Sequence, residues 1–370
     1  MRDTRASSAK FNIQLHMPRI VRIVVIVLAI ALLLGGALLA VRGCSRRTST
    51  VGDGGIAISG ANPAAQYFAM QNAFVAFDGS YARAYDAKRG ELMWERSPDG
   101  SQGYQCAASD ALLALYKANS LYVYDASGNV SFSTTTEQPI TGVAAGVSRV
   151  AIRYQDDSIQ IIDSTGKPVE TIANTVGQVM DFGLYSGSDL MWVLRLDSDG
   201  IQPKSILDIH QPGKLLIAGW STTEQLYYQP LMSGNSIYIV GTRTIDVRST
   251  VDTSESSVLV YGWTLRDSYA GDSLSILLTL TQQGGSATSL RVVTDGKVSD
   301  LRMHAGCTDL VLGKDAVYGF AGQTLFAVPL SGGKTASYSL PYSVDGVLCK
   351  LSGGKVLLSG GDGVYLVTLP

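Results

Sequence analysis

Short runs of alternating apolar and polar residues fill most of the chain beyond residue 55, and each run stops at a turn carrying Gly or Asp. Alternation with period two is the pattern of a half-buried β-strand. Runs of one kind recur at intervals of 35 to 46 residues, anchored at Tyr85, Tyr124, Ile162, Leu207, Val247, Val293, Val328 and Val367. Four short strands in a repeat of about forty residues are typical of a β-propeller blade. The pattern predicts an all-β, eight-bladed β-propeller, with a seven-bladed ring as the alternative.

Ring closure favours eight blades over seven. The eighth repeat ends with a third strand at residues 364–368, and no fourth strand follows it. The apolar run of Ile56, Ala57 and Ile58 has no blade of its own. We expect this run to complete the eighth blade, because a closed ring leaves no inner gap between its first and last sheets.

An uncharged apolar run at residues 23–41 precedes the repeats. Nineteen residues at a rise of ~1.5 Å each make a helix of ~28 Å, which is long enough to cross a bilayer core. Arg19 and Arg22 precede the run and Arg42 follows it, so the pattern predicts one transmembrane helix. A cleaved signal peptide is the competing interpretation, but the residues around Cys44 match neither a small-residue cleavage site nor a lipobox.

Charge predicts the orientation of this helix. Five basic residues lie before the run and three just after it, which favours a cytoplasmic N-terminus. The sequence thus divides into a basic cytoplasmic tail (1–22), a transmembrane helix (23–41), a linker (42–54) and an extracytoplasmic propeller (55–370). Eight of the 29 bases and one of the 31 acids lie before residue 48, which leaves a net charge of −9 beyond it. Nucleic acid is therefore not an expected partner.

The clearest repeat is the string AYDAKRGELMW, which runs from Ala84 to Trp94 in blade 1. We expect its Asp to cap the turn amides, its Gly to take a positive φ, and its Trp to wedge between neighbouring blades. Residues assigned these turn and docking roles across the blades are Asp86, Gly90, Trp94, Asp125, Gly128, Asp163, Gly166, Trp220 and Trp263. Trp220 and Trp263 are predicted to end the fourth strands of blades 4 and 5.

This string resembles the repeat of the PQQ-like (quinoprotein-type, YncE-like) β-propellers, and the resemblance is strongest in blades 1 to 3. As a whole, the chain looks like the single-pass, extracytoplasmic propellers of bacterial envelopes. Quinoprotein dehydrogenases of this fold carry two adjacent cysteines and a calcium-binding set beside the quinone. No two cysteines are adjacent in this sequence, so no cofactor is expected.

The cysteines show no zinc-binding spacing. Cys106, Cys307 and Cys349 are predicted on the innermost strands of blades 2, 7 and 8, where thiols face a central channel. Cys307 and Cys349 lie in neighbouring blades, and the sequence leaves open whether they form a disulfide.

Candidate catalytic and metal-binding groups are few. His210 is placed in a polar turn, and His304 with Cys307 has the spacing of a ligand pair but no second pair nearby. Residues 196–200 resemble part of a calcium loop but are more simply interpreted as a hairpin turn. We therefore expect no metal site and no enzyme.

The sequence favours a single-pass cell-membrane protein that presents its propeller outside the membrane. Its expected role is a binding or scaffolding platform for an envelope protein, peptide or glycan. The alternative is an enzyme of quinoprotein or lyase type that acts in the propeller channel.

Overall fold

The computed structural model of the chain describes residues 49–50, 54–188, 190–198, 200–281, 287–361 and 363–370. These residues form eight sheets that follow one another along the sequence, which confirms the all-β, eight-bladed propeller. The predicted transmembrane helix and basic tail lie outside the described residues. Within the described segments, no helix has the length and apolar character needed to cross a membrane.

Each blade has four antiparallel strands, ordered from the innermost to the outermost. Blades 1 and 2 consist of Gln66–Met70, Ala73–Phe77, Ala82–Asp86 and Leu92–Arg96, then Gln105–Ala108, Leu112–Lys117, Ser120–Asp125 and Val130–Thr135. Blades 3 and 4 consist of Ile140–Ala145, Arg149–Tyr154, Ile159–Asp163 and Pro168–Ile172, then Gln178–Leu184, Met191–Asp197, Lys204–Gln211 and Leu215–Thr222.

The second half of the ring follows the same plan. Blades 5 and 6 consist of Tyr227–Ser233, Ser236–Gly241, Thr244–Ser249 and Glu255–Leu259, then Trp263–Ala270, Leu274–Leu280, Ser289–Thr294 and Lys297–Arg302. Blades 7 and 8 consist of Asp309–Leu312, Ala316–Ala321, Thr324–Pro329 and Ala336–Ser339, then Gly346–Leu351, Lys355–Gly360, Gly363–Thr368 and Ile56–Ala57. The innermost strands of blades 1 and 8 lie against each other, so the ring is closed.

Hydrophobic contacts between neighbouring blades hold the ring together. The described core residues form eight clusters, and each cluster joins two adjacent blades. Successive side chains of a strand point to opposite faces, and here both faces meet another blade. The second strand of blade 1, Ala73–Phe77, is therefore buried at every position. Between blades 8 and 1, the rings of Phe74 and Tyr85 stack with centroids 5.2 Å apart.

The predicted closure of blade 8 is confirmed. Ile56 pairs with Leu366 and Ala57 pairs with Tyr365 in antiparallel register. The ladder continues one residue further, where the Ile58 N–H donates to the Val364 carbonyl at 2.8 Å. The first apolar segment after the linker thus supplies the outermost strand of the last blade.

A second N-terminal pairing was not predicted from the sequence. Ser49–Thr50 lies parallel to the outermost strand of blade 7, Ala336–Ser339, with Ser49 opposite Tyr338. This short strand falls within residues 42–54, which the sequence pattern indicated as a linker. An outer edge of this propeller therefore accepts an additional extended segment.

The strand predicted for Trp263 is wrong. It begins the innermost strand of blade 6, where it pairs with Leu280, and does not end the fourth strand of blade 5. A turn at 260–263 separates the two blades: Gly262 has a φ of 83°, and the Trp263 N–H donates to the Val260 carbonyl at 2.9 Å. The apolar run from Val258 to Trp263 continues across this turn without a polar break, so the sequence did not indicate the boundary between blades 5 and 6.

Candidate functional site

The Asp and Gly residues of the repeat string build the turn between the third and fourth strands. In blade 1 the Asp86 carboxylate accepts hydrogen bonds from the N–H groups of Lys88 and Arg89, both at 2.7 Å. These two bonds hold the pKa of Asp86 below its ordinary value. Gly90 follows with a φ of 70°, a conformation that favours glycine.

Blades 2 and 3 repeat this turn. Asp125 accepts from the N–H groups of Ser127 and Asn129 at 2.8 and 2.9 Å. Asp163 accepts from the N–H groups of Thr165 and Lys167 at 2.9 and 3.0 Å. The glycines that follow, Gly128 and Gly166, have φ values of 78° and 89°.

Each of these turn glycines lies under an apolar side chain that is on, or directly next to, the outermost strand of the preceding blade. Trp94 covers Gly128 so closely that a Cβ there would come within 2.7 Å of the indole, and its Nε1 donates to the Ala126 carbonyl at 3.1 Å. Phe132 covers Gly166 in the same way. Ile58 covers Gly90, so the N-terminal strand docks blade 8 on blade 1 as Trp94 docks blade 1 on blade 2.

The other two tryptophans that were predicted to dock blades, Trp220 and Trp263, have different surroundings. Trp220 lies on the outermost strand of blade 4, opposite Leu207, and packs on the cluster between blades 4 and 5. The following turn in blade 5, residues 250–254, contains no glycine to receive it. The ring of Trp263 lies 4.5 Å from the Arg291 guanidinium carbon. The Trp-on-Gly contact of blade 1 is therefore not repeated at these two positions.

Two of the three described cysteines lie on innermost strands, as predicted: Cys106 in blade 2 and Cys349 in blade 8. Cys307 precedes the first strand of blade 7 and is buried between blades 6 and 7, so the expectation that it lines a channel is wrong. All three are free thiols, and the Cys307–Cys349 disulfide is not formed. Burial raises the pKa of Cys307 and of Cys349 to about 11, so both thiols are neutral and poor nucleophiles at pH 7.

The histidines do not converge on a site. His210 is on the third strand of blade 4, not in the turn that follows it, and burial lowers its pKa. His304 stacks on the ring of Phe326, with centroids 4.2 Å apart. Across the described ranges, no three side chains of His, Cys, Asp or Glu lie close enough together to hold a metal ion.

Metal chelation is expected to leave the melting temperature of the purified protein unchanged, because no ligand cluster among the described residues supports the fold. Thermal unfolding with and without EDTA measures this directly. A drop of several degrees would reveal a structural metal, and alanine substitution of Asp197 or His304 would then identify the loop that holds it.

A charged network joins the innermost strands of blades 6 and 8 across blade 7. Lys350 Nζ donates to both Asp267 carboxylate oxygens, at 3.0 and 2.9 Å. It also donates to the carbonyls of Ser268 at 2.5 Å and Leu312 at 2.9 Å. The Leu312 N–H in turn donates to Asp267 at 2.7 Å. These groups satisfy one another, so the network has a structural role, and no sequence motif indicated it.

A partly polar space lies between blades 4 and 5. We call it the 4–5 cleft; it consists of two adjoining cavities of ≈ 490 Å³ and ≈ 540 Å³ that share Arg248 and Glu255. The first cavity extends to the connection at 224–227, and the second lies between the outermost strand of blade 4 and the turn at 250–254. In the inner half of this interface the contacts are apolar, through residues such as Leu207 and Ile239.

Asp246 is a buried residue in the wall of the first cavity. Its carboxylate accepts hydrogen bonds from the Tyr227 hydroxyl and the Thr244 hydroxyl, both at 2.8 Å, and from Gln225 Nε2 at 3.2 Å. Burial, together with the bond to Asp246, raises the pKa of Tyr227. This network makes the cavity wall rigid and polar.

Arg248 forms the ridge between the two cavities. Its Nη1 donates to the Glu255 carboxylate, while its buried Nε has no hydrogen-bond partner among the described residues. Glu255 is largely exposed and Arg248 is partly exposed. The cleft therefore presents charged groups of both signs to the solvent and is suited to binding a polar or charged chain.

No protein-family model matches the sequence, and no curated protein matches it. Solved structures do share the fold. The C-terminal WD40 domain of Sif2 aligns with a TM-score of 0.59 at 10% identity, covering 87% of this chain and 99% of that one. The computationally designed protein Ika8 aligns with a TM-score of 0.57 at 14% identity, covering 86% and 100%. BamB from Moraxella catarrhalis aligns with a TM-score of 0.52 at 12% identity, covering 82% and 93%. At these identities the likeness shows that the chain is a β-propeller.

Proposed function

We propose that this chain is a single-pass membrane protein that presents its eight-bladed propeller outside the cell membrane as a binding platform for an envelope protein, peptide or glycan. The uncharged run at 23–41, its basic flanks and the acidic body support this placement. The closed, densely packed ring supports a rigid platform.

The 4–5 cleft is the feature that best supports a binding role. The inner half of the 4–5 interface is apolar, like the other described interfaces between blades, while its outer half is polar and open. Clefts that combine a rigid wall with a few convergent polar groups are the usual form of a recognition site. The buried Asp246 network supplies the wall, and Arg248 and Glu255 supply exposed charges.

A membrane-impermeant, amine-reactive crosslinker added to intact cells tests this proposal. We expect it to join the chain to a discrete partner, because the propeller faces the outside. Arg248→Glu places a second carboxylate beside Glu255, so this variant should lose the adduct. The matched control Lys334→Glu makes the same charge change at an exposed position in blade 7 and should keep it.

Two results would contradict the proposal. If external protease and crosslinker both leave the propeller untouched in intact cells, the orientation is reversed. If Arg248→Glu and Lys334→Glu both retain the same adduct at the same yield, the partner binds elsewhere and the cleft is not the platform.

A further inference from the structure

We infer that the outermost strand of blade 4, Leu215–Thr222, binds an extended basic peptide segment of a partner protein as an added fifth strand. The inference rests on the proposed binding function and names its partner chemistry. In outline, the backbone of the peptide pairs with the strand edge and its basic side chains enter the 4–5 cleft.

The outer edge of blade 4 is long and unpaired among the described strands. Leu215–Thr222 has eight residues, more than any other outermost strand in the structure. It pairs with Lys204–Gln211 on one side, and no described strand pairs with its other side. Its sequence contains neither a charged residue nor proline, two of the features that protect an exposed edge from pairing. Its one bulge lies at Ile217, and from Ala218 to Thr222 it pairs with Ser205–Ile209 in regular register.

Most other outer edges of the ring are protected. The outermost strands of blades 1, 3, 5 and 6 all contain charged residues. The uncharged edge of blade 7 is covered by Ser49–Thr50 from the same chain, so an outer edge of this propeller does accept an extended segment. Two further edges are uncharged. Ile56–Ala57 in blade 8 has only two residues, and Val130–Thr135 in blade 2 has six but lines neither the 4–5 cleft nor the cavity beside Cys106.

The surface beside the blade 4 edge combines exposed apolar side chains with an excess of carboxylates, which suits an extended basic peptide. Apolar side chains are exposed on both sides of the cleft, with Ile217 at 44% on blade 4 and Val251 at 70% on blade 5. Carboxylates outnumber guanidinium groups around the cleft. The carboxylates are those of Glu224, Asp246, Asp252 and Glu255, and the guanidinium groups are those of Arg243 and Arg248. Successive side chains of an added strand point to opposite faces, so a peptide of alternating lysine and valine turns all its lysines towards the carboxylates of the cleft, while its valines favour the extended conformation.

Charge also argues against a second copy of the chain as the occupant. Pairing two blade 4 edges would bring the exposed carboxylates of Glu224, Asp252 and Glu255 close to their own counterparts. Like charges held together in this way oppose association. A basic partner gains from the same carboxylates.

The probe for this inference is an N-acetylated octapeptide of alternating valine and lysine, with a fluorescent label. We expect saturable binding to the full chain in detergent, measured by anisotropy, that weakens as salt is raised. The matched peptide of alternating valine and glutamate should bind at least about tenfold more weakly, which corresponds to about 1.4 kcal/mol.

Matched variants locate the site. Ile217→Lys places a positive charge on the blade 4 edge and should weaken binding of the lysine peptide at least about tenfold. Val130→Lys makes a similar change on the uncharged edge of blade 2, at a residue that is 59% exposed, and should leave binding unchanged. Equal melting temperatures for both variants and the original protein establish that folding is not the cause.

Failure of this inference is distinct from failure of the proposed function. No binding of the lysine peptide, or equal binding by Ile217→Lys, overturns the strand-addition site, while the crosslinking result on intact cells still decides the platform role. A third result would also overturn the strand-addition site. If the protein forms a dimer that the Ile217→Lys substitution dissociates but the lysine peptide does not, the blade 4 edge is an interface between two copies of the chain.

Discussion

Replacing residues 54–60 with a Gly-Ser segment of equal length is expected to lower the free energy of unfolding by about 4–8 kcal/mol. The segment contains the outermost strand of blade 8, whose N–H and carbonyl groups pair with Gly363–Thr368. It also contains Ile58, which is 5% exposed and covers Gly90 of blade 1. The replacement therefore removes both a row of ladder hydrogen bonds and the apolar contact that joins the last blade to the first.

Single substitutions separate these two contributions. Ile58→Ala should cost about 2–4 kcal/mol, because it leaves a cavity over Gly90. Ile56→Ala, at a position that is 42% exposed, should cost less than half as much. Thermal and urea unfolding give these values, and size-exclusion chromatography reports any association through the uncovered edge. Equal stability of the original and the replaced protein would mean that the ring does not depend on its N-terminal strand.

Local signals explain why the blades could be predicted from the sequence. All eight third-strand anchors lie in third strands, and in blades 1, 2, 3 and 6 the strand ends at a turn that carries both an Asp and a Gly. Asp86 and Gly90 show the reason: the carboxylate caps the turn amides and the glycine takes a positive φ, so both requirements fall within five residues. Closure by residues 56–58 was predictable for a similar reason, since an apolar run without a blade had one vacant position to fill.

The candidate sites depend on contacts that are distant in sequence, and this is why the sequence did not indicate them. Lys350 and Asp267 are 83 residues apart, and neither stands in a recognisable motif. The 4–5 cleft is lined by residues of two blades, among them Trp220 of blade 4 and the turn at 250–254 of blade 5, so no local pattern in the sequence marks it. Cys307 lies just before the first strand of blade 7 and is buried, whereas the sequence pattern predicted it on that strand, facing the channel.

Lys350→Met is the second large effect we expect, with a loss of about 2–4 kcal/mol in the free energy of unfolding. Methionine nearly matches lysine in length but donates no hydrogen bond. The Asp267 carboxylate, whose side chain is 22% exposed, then loses its cation, and the carbonyls of Ser268 and Leu312 lose a donor. Because these groups belong to blades 6 and 7, the loss weakens the contact that blade 8 makes with both.

A nearby ion pair provides the matched control. Arg266 bonds Asp309 at 2.9 Å, with side chains that are 44% and 25% exposed, so Arg266→Met should cost less than about 1 kcal/mol. In a double-mutant cycle, Lys350→Met combined with Asp267→Asn should cost less than the sum of the two single changes, since each alone leaves its partner unpaired. Additive losses, or equal losses for Lys350→Met and Arg266→Met in urea unfolding, would show that the network does not hold blades 6, 7 and 8 together. The three N–H groups of Lys350 are shared among four acceptor atoms, against one acceptor at Arg266, and this is the physical reason to expect the larger loss.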